Sequence, residues 1–185
     1  HKEEIVAALE AGGAEKRFPL TDIQAAYFLG RMGGFSYGGI SCQVSFEILY
    51  DGLELARANE VFREIIQKHE MLRAVIHADG RQEILDAVPE FSLKFQDCSE
   101  ENYETSNRIE DIRKEYADWQ SEIGQWPFFN FGITKFADQT VLHLTMDFMI
   151  ADWTSIWILV AEFEQGYFDG KLAKTAEVPS FRDYL

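Results

Sequence analysis

Apolar and polar positions alternate from Val141 to Phe148. Leu142, Leu144, Met146 and Phe148 fall on one side, and Val141, His143, Thr145 and Asp147 on the other. A period of two predicts a strand with two unlike faces. The period then changes. Ile156, Val160, Phe163 and Tyr167 lie four, three and four residues apart, which predicts a helix over 152–168 with one buried stripe. A second strand is read at Cys42, Val44, Phe46 and Ile48, with Ser41, Gln43, Ser45 and Glu47 facing solvent or a channel. Asp51-Gly-Leu-Glu54 opens a helix through Lys68, buried on Ala58, Val61, Phe62, Ile65 and Ile66. Around Asp79-Gly80, segments 72–77 and 82–85 form a hairpin.

The other elements follow in order. A short leading helix is read at Ile5, Ala8 and Leu9. Thr21 with Gln24 makes a capping box for a helix whose inner side is Ile23, Ala26, Tyr27 and Gly30. Met32–Gly39, with four glycines, reads as a loop. Phe91, Leu93 and Phe95 alternate as a strand. Ile109, Ile112, Tyr116, Trp119 and Ile123 mark a helix over 106–123, stopped by Gly124. Phe129, Phe131 and Ile133 form a further strand. The sum is α+β, a mixed sheet flanked by helices, not a doubly wound Rossmann fold, and no glycine-rich phosphate loop follows a strand.

Composition narrows the function. The chain has 185 residues, 46% hydrophobic and 14% aromatic, enough for a real core. Its net charge of −15, from 32 acids against 17 bases, argues against nucleic acid and anionic membranes as partners. Cys42 and Cys98 have neither a CxxC nor a zinc spacing. With no secretory signal or spanning run in the sequence, the expected location is the reducing cytoplasm.

The chemistry concentrates where strand becomes helix, at Asp147-Phe-Met-Ile-Ala-Asp152-Trp-Thr-Ser155. Asp152 fits an N-cap. Asp147 has no such local role, and a charge in so apolar a stretch needs a partner or a function. Two Asp and one Ser are too few ligands for a metal site.

Asp-x4-Asp-x2-Ser at a strand–helix junction resembles the signature of heterocyclization domains of nonribosomal peptide synthetases. Three other stretches resemble that family's motifs in the same order: Phe18-Pro-Leu-Thr-Asp-Ile-Gln-Ala-Ala-Tyr-Phe-Leu-Gly-Arg31, Lys68-His-Glu-Met-Leu-Arg-Ala-Val75 and Pro179-Ser-Phe-Arg-Asp-Tyr184. The resemblance implies one lobe of a chloramphenicol-acetyltransferase-like pair. Residues 1–17 would be a linker and leading helix, and 18–185 the N-terminal lobe, with the C-terminal lobe absent. It implies an enzyme that joins a carrier-bound acyl or peptidyl thioester to carrier-bound Cys, Ser or Thr. The product is then cyclodehydrated to a thiazoline or oxazoline, in the biosynthesis of a siderophore or other peptide natural product. Substrates would arrive on phosphopantetheine arms of upstream and downstream carrier proteins, with no cofactor bound directly.

The resemblance also assigns residues. Asp147, Asp152 and Ser155 are the catalytic candidates, with Asp147 as base and Asp152 as helper. The competing and favoured reading of Asp152 is a buried structural ion pair with Arg73. His143, Thr145, Tyr27 and Arg31 are candidates for the tunnel wall. Two rival functions remain open: an ordinary amide-forming acyltransferase using His143, and a non-catalytic lobe that docks carrier proteins. The isolated lobe is expected to be inactive and, with its apolar surface around Trp153 and Trp157 uncovered, to form a homodimer.

Overall fold

The structure, a computed structural model, describes residues 16–32, 39, 41–172 and 180–184. The helix read at Ile5–Leu9 and most of the glycine-rich stretch lie outside the described residues. The alternating segment becomes β7 (Thr140–Asp147), and all eight of its residues are buried. It is buried on both faces because it has neighbours on both sides and helices above and below. Strand β2 (Gln43–Tyr50) pairs with it antiparallel, as does β6 (Phe129–Phe136), and β5 (Lys94–Cys98) runs parallel to β6. The sheet order is β2-β7-β6-β5. A smaller antiparallel sheet holds β1 (Phe18–Pro19), β4 (Arg81–Ile84) and β3 (Ala74–Ile76) in the order β1-β4-β3. Gly80, at φ 74°, closes the β3–β4 turn read from Asp79-Gly80.

Register sorts the two faces of the main sheet. Val44, Phe46 and Ile48 sit opposite Met146, Leu144 and Leu142, which in turn face Phe129, Phe131 and Ile133. This apolar face packs against α2 (Leu55–Lys68) and α4 (Trp153–Glu164), whose Phe62 and Phe163 rings stack at 4.6 Å. The other face is mostly polar: Gln43, Ser45 and Glu47 opposite Asp147, Thr145 and His143. Helix α3 (Arg108–Asp118) covers it, with Ile109, Ile112 and Tyr116 packed on Val141 and Phe136. Glycine is required at position 132, because a Cβ there would stand 1.9 Å from the Tyr116 hydroxyl.

Three elements differ from their sequence reading. Helix α3 ends at Asp118, five residues before Ile123, and Trp119 turns extended at ψ 143°. The Gln43 amide takes the carbonyls of Ala117 and Trp119, so the chain leaves the helix there. In α1 (Asp22–Arg31) the capping box forms as read, but the buried residues are Gln24 and Phe28. Ile23 is 68% exposed, because Gln24 is drawn inward by a buried amide pair with Gln82. Strand β5 begins at Lys94. Phe91 instead packs on Phe62, Phe129 and Phe131, while the Leu93 N–H donates to Asn59. Helix α4 runs on into a π turn at Gln165–Asp169, and α5 (Phe181–Tyr184) is the last described element.

Candidate functional site

Strand β7 delivers Asp147 to the end of the sheet, and the next five residues carry the chain to the start of α4. Asp147 is 1% exposed. Arg31, from the last turn of α1, donates to its Oδ2 at 3.0 Å. The Ser121 hydroxyl donates to the same oxygen at 2.8 Å, and Arg31 also donates to Ser121 at 2.8 Å. The Met149 N–H donates to Oδ1 at 2.9 Å. Burial pushes the Asp147 carboxyl up, against the pull of Met149, Ser121 and Arg31. Asp147 is therefore the fixed end of the loop, gripped by α1 on one side and the post-α3 segment on the other.

Helix α1 grips the loop at two further points. The Gln24 amide donates to the Met149 carbonyl at 2.7 Å, and Tyr27 stacks on Phe148 at 6.4 Å between ring centroids. Gln24 is held in turn by Gln82, itself bonded to the Pro19 carbonyl. The residues of the opening motif thus meet the Asp-containing loop in space, 125 residues away in sequence at Gln24–Met149.

Asp152 is at the other end of the loop and is exposed. It is the N-cap of α4: its Oδ1 accepts the Ser155 N–H and the Ser155 hydroxyl, both at 2.7 Å. Those two bonds hold its carboxyl below the usual range. The ion pair expected between Arg73 and Asp152 does not form. Arg73 instead donates to the carbonyls of Ile66, Gln67 and Leu85, tying the end of α2 to the β4 side. The buried carboxylate that needed a guanidinium is Asp147, and Arg31 supplies it. Asp152 is exposed and accepts hydrogen bonds from the helix it caps, so it needs no guanidinium partner.

His143 and Thr145 do not reach an open surface. His143 is 2% exposed, stacked on Tyr116 at 4.6 Å and hydrogen-bonded to Thr134 at 2.9 Å. Burial lowers its pKa to about 4. Thr145 is fully buried between Ser45 and the Tyr116 carbonyl. Both belong to the polar seam beneath α3. Of the four tunnel candidates, only Tyr27 and Arg31 touch the motif loop. Sequence reasoning missed Ser121, Gln24 and Gln82. Ser121 lay inside a segment read as helix, and Gln24 had a sufficient local explanation in the capping box. Among the described residues, no three His, Cys, Asp or Glu side chains converge as metal ligands.

Comparison with known proteins gives the family. The sequence profile of the family described as Condensation domain matches residues 14–185. A pyochelin synthetase, PchF, of Pseudomonas aeruginosa is 33% identical over 93% of this chain, which spans 10% of that protein. Bacitracin synthase 1 of Bacillus licheniformis is 29% identical over 98% of this chain, and 4% of its own length is matched. In the cyclization-docking bidomain of the EpoB nonribosomal peptide synthetase from Sorangium cellulosum, the same fold recurs. The TM-score is 0.81 at 28% identity, covering 92% of this chain and 35% of that one.

Proposed function

The chain belongs to the condensation-domain family, and from that premise we propose that it is the N-terminal lobe of a heterocyclization domain, with residues 18–185 as the lobe. The observation that carries this reading is the Asp147–Asp152–Ser155 loop in its place at the head of α4. The loop is anchored by Arg31 and Ser121 and ends in the exposed Asp152 carboxylate, to which the half-buried Ser155 hydroxyl donates. The one histidine near it in sequence, His143, is sealed under α3, which weighs against a histidine-based acyltransferase.

In the proposed reaction the amine of a carrier-bound Cys, Ser or Thr attacks the carbonyl of a carrier-bound thioester. The C–N bond forms, the C–S bond breaks, and the phosphopantetheine thiolate leaves and takes a proton. The side-chain thiol or hydroxyl then adds to the new amide carbonyl. That addition closes the ring, and loss of the carbonyl oxygen as water, together with the nitrogen's hydrogen, forms the C=N bond of the thiazoline or oxazoline. Asp152 and Ser155 are the residues of this lobe that face the reacting groups. With its carboxyl held ionised, Asp152 accepts hydrogen bonds or protons and does not donate them. Asp147 and Arg31 are positioning residues. In this reading a second lobe supplies the facing wall, and this lobe alone turns over no substrate. The relatives that carry the reading are the pyochelin synthetase and the cyclization bidomain. No helix among the described residues is long and apolar enough to cross a membrane. We place the chain in the cytoplasm with its carriers.

The test is product analysis by mass spectrometry, using the synthetase that contains this chain and loaded carriers. Asp152→Asn keeps a good N-cap and Ser155→Ala keeps the capped N–H, so both variants fold. Reduced cyclised product from both supports the assignment. Unchanged rate and product from both removes Asp152 and Ser155 from the chemistry.

A further inference from the structure

The capping box of α1 needs only the side-chain oxygen of Gln24. That Oε1 accepts the Thr21 N–H at 2.9 Å, a role a glutamate fills equally well. The amide nitrogen is not needed for capping, and both its hydrogens go elsewhere. One is donated to the Gln82 Oε1 at 3.0 Å and the other to the Met149 carbonyl at 2.7 Å. Gln82 donates in return to the Gln24 Oε1 at 2.9 Å, and its second hydrogen goes to the Pro19 carbonyl at 2.9 Å. The Met149 and Pro19 carbonyls fix which way each amide faces, and every amide hydrogen is used. Gln24 is 6% exposed and Gln82 0%. A carboxylate at either position would set acceptor against acceptor with no hydrogen between them, in a place shut off from water.

The pair lies between the small sheet and the motif loop. Gln82 sits in β4, opposite Phe18 of β1 and Ile76 of β3. Met149 is buried and held at both ends, its N–H by the Asp147 carboxylate and its carbonyl by Gln24. The chain then runs out to Asp152, the cap of α4. Arg31 fixes the entry to the loop and Gln24 fixes its middle.

We propose that Gln24 and Gln82 are positioning residues, a buried amide relay through which β4 sets the place of the motif loop and so of Asp152 and Ser155. Gln82 acts through Gln24. The effect on product rests on the heterocyclization reading above; the placement of the loop does not.

Hydrogen exchange and product analysis on the synthetase containing this chain test the two parts separately. Gln24→Met and Gln82→Met keep the length of the side chain and remove the amide. Each speeds exchange of the Met149 and Ile150 N–H groups, which bond to Asp147, by about tenfold, the scale of one buried hydrogen bond. The amides of β7 stay as slow as in the parent. Each variant also lowers the ratio of cyclised to linear product by about tenfold or more, as slight misplacement of a site does, with KM for the loaded carriers unchanged. That ratio does not depend on how much enzyme is folded. In the double variant the two losses do not add. Gln24→Glu keeps the capping bond, and its carboxyl donates to Met149 only when protonated. Its loop exchanges faster than the parent's at neutral pH, and the difference closes in acid. Parent-like exchange at Met149 and Ile150 overturns the relay, as does faster exchange spread equally over β7, which is loss of stability alone. An unchanged product ratio with a loosened loop overturns the positioning of Asp152 and Ser155. A parent that makes only linear amide removes the heterocyclization reading, and exchange alone then decides the relay.

Discussion

Arg31→Leu leaves the Asp147 carboxylate buried with only Ser121 and the Met149 N–H for partners. Removing one member of a buried pair costs about 3–5 kcal/mol, and Arg31 and Asp147 have side chains only 11% and 1% exposed. Urea denaturation of Arg31→Leu should show a loss on that scale at neutral pH. The loss should shrink in acid, where Asp147, already pushed up by burial, takes a proton and sheds its charge. Asp152→Ala removes a cap and should cost about 0.5–2 kcal/mol, with Asp152→Asn close to the parent. His143 gives a separate pH signature. Its folded pKa of about 4 is below the ordinary 6.5, so the unfolded chain binds the proton first. Its contribution is complete above pH 6.5, falls as pH drops through that window, and levels off below about 4. The full swing is on the order of 3 kcal/mol, and His143→Gln should flatten that part of the stability–pH curve. The two aspartates were legible from their spacing, and Asp152 as a cap from its place before α4. The arginine was not. Arg31 and Arg73 both sit in motif-like stretches, and only the folded chain shows that α1 ends against Asp147 while Arg73 turns to backbone carbonyls.

Elements were legible wherever one local pattern decided them. The alternation in β2 and β7, the stripe of α2 and the Asp79-Gly80 hairpin all appear, and β2 and β7 pair along their whole length. Where a long-range contact overrides the local pattern, the sequence misleads. The stripe of α3 continues to Ile123 in sequence, but the Gln43 amide captures the carbonyls at its end. That early stop frees Ser121 to reach Asp147, so the misread boundary and the missed site residue share one cause. The α3–sheet contact yields its own prediction. Gly132→Ala would drive a Cβ to 1.9 Å from the Tyr116 hydroxyl and 2.8 Å from the Lys94 carbonyl. The destabilisation should reach about 1–3 kcal/mol or more, and Gly132→Ala with Tyr116→Phe should recover part of it in thermal melts.

At the scale of the molecule, the sheet is a platform with two different sides. One carries the aromatic core under α2 and α4. The other holds a polar seam under α3 that ends at Asp147. The motif loop leaves at the junction of the two, so its fixed end is bound into the seam and its free end begins a helix over the core. This separation makes Asp147 an anchor and leaves Asp152 exposed at the head of α4, with the half-buried Ser155 bonded to it. Family membership follows from the profile match and the relatives; the cyclizing chemistry is the claim still to be measured. The direct measurement is the mass of the product that the synthetase containing this chain makes from a carrier-bound acyl group and carrier-bound cysteine. The account predicts a product one water lighter than the linear amide. The linear amide alone, formed at an undiminished rate, would contradict it.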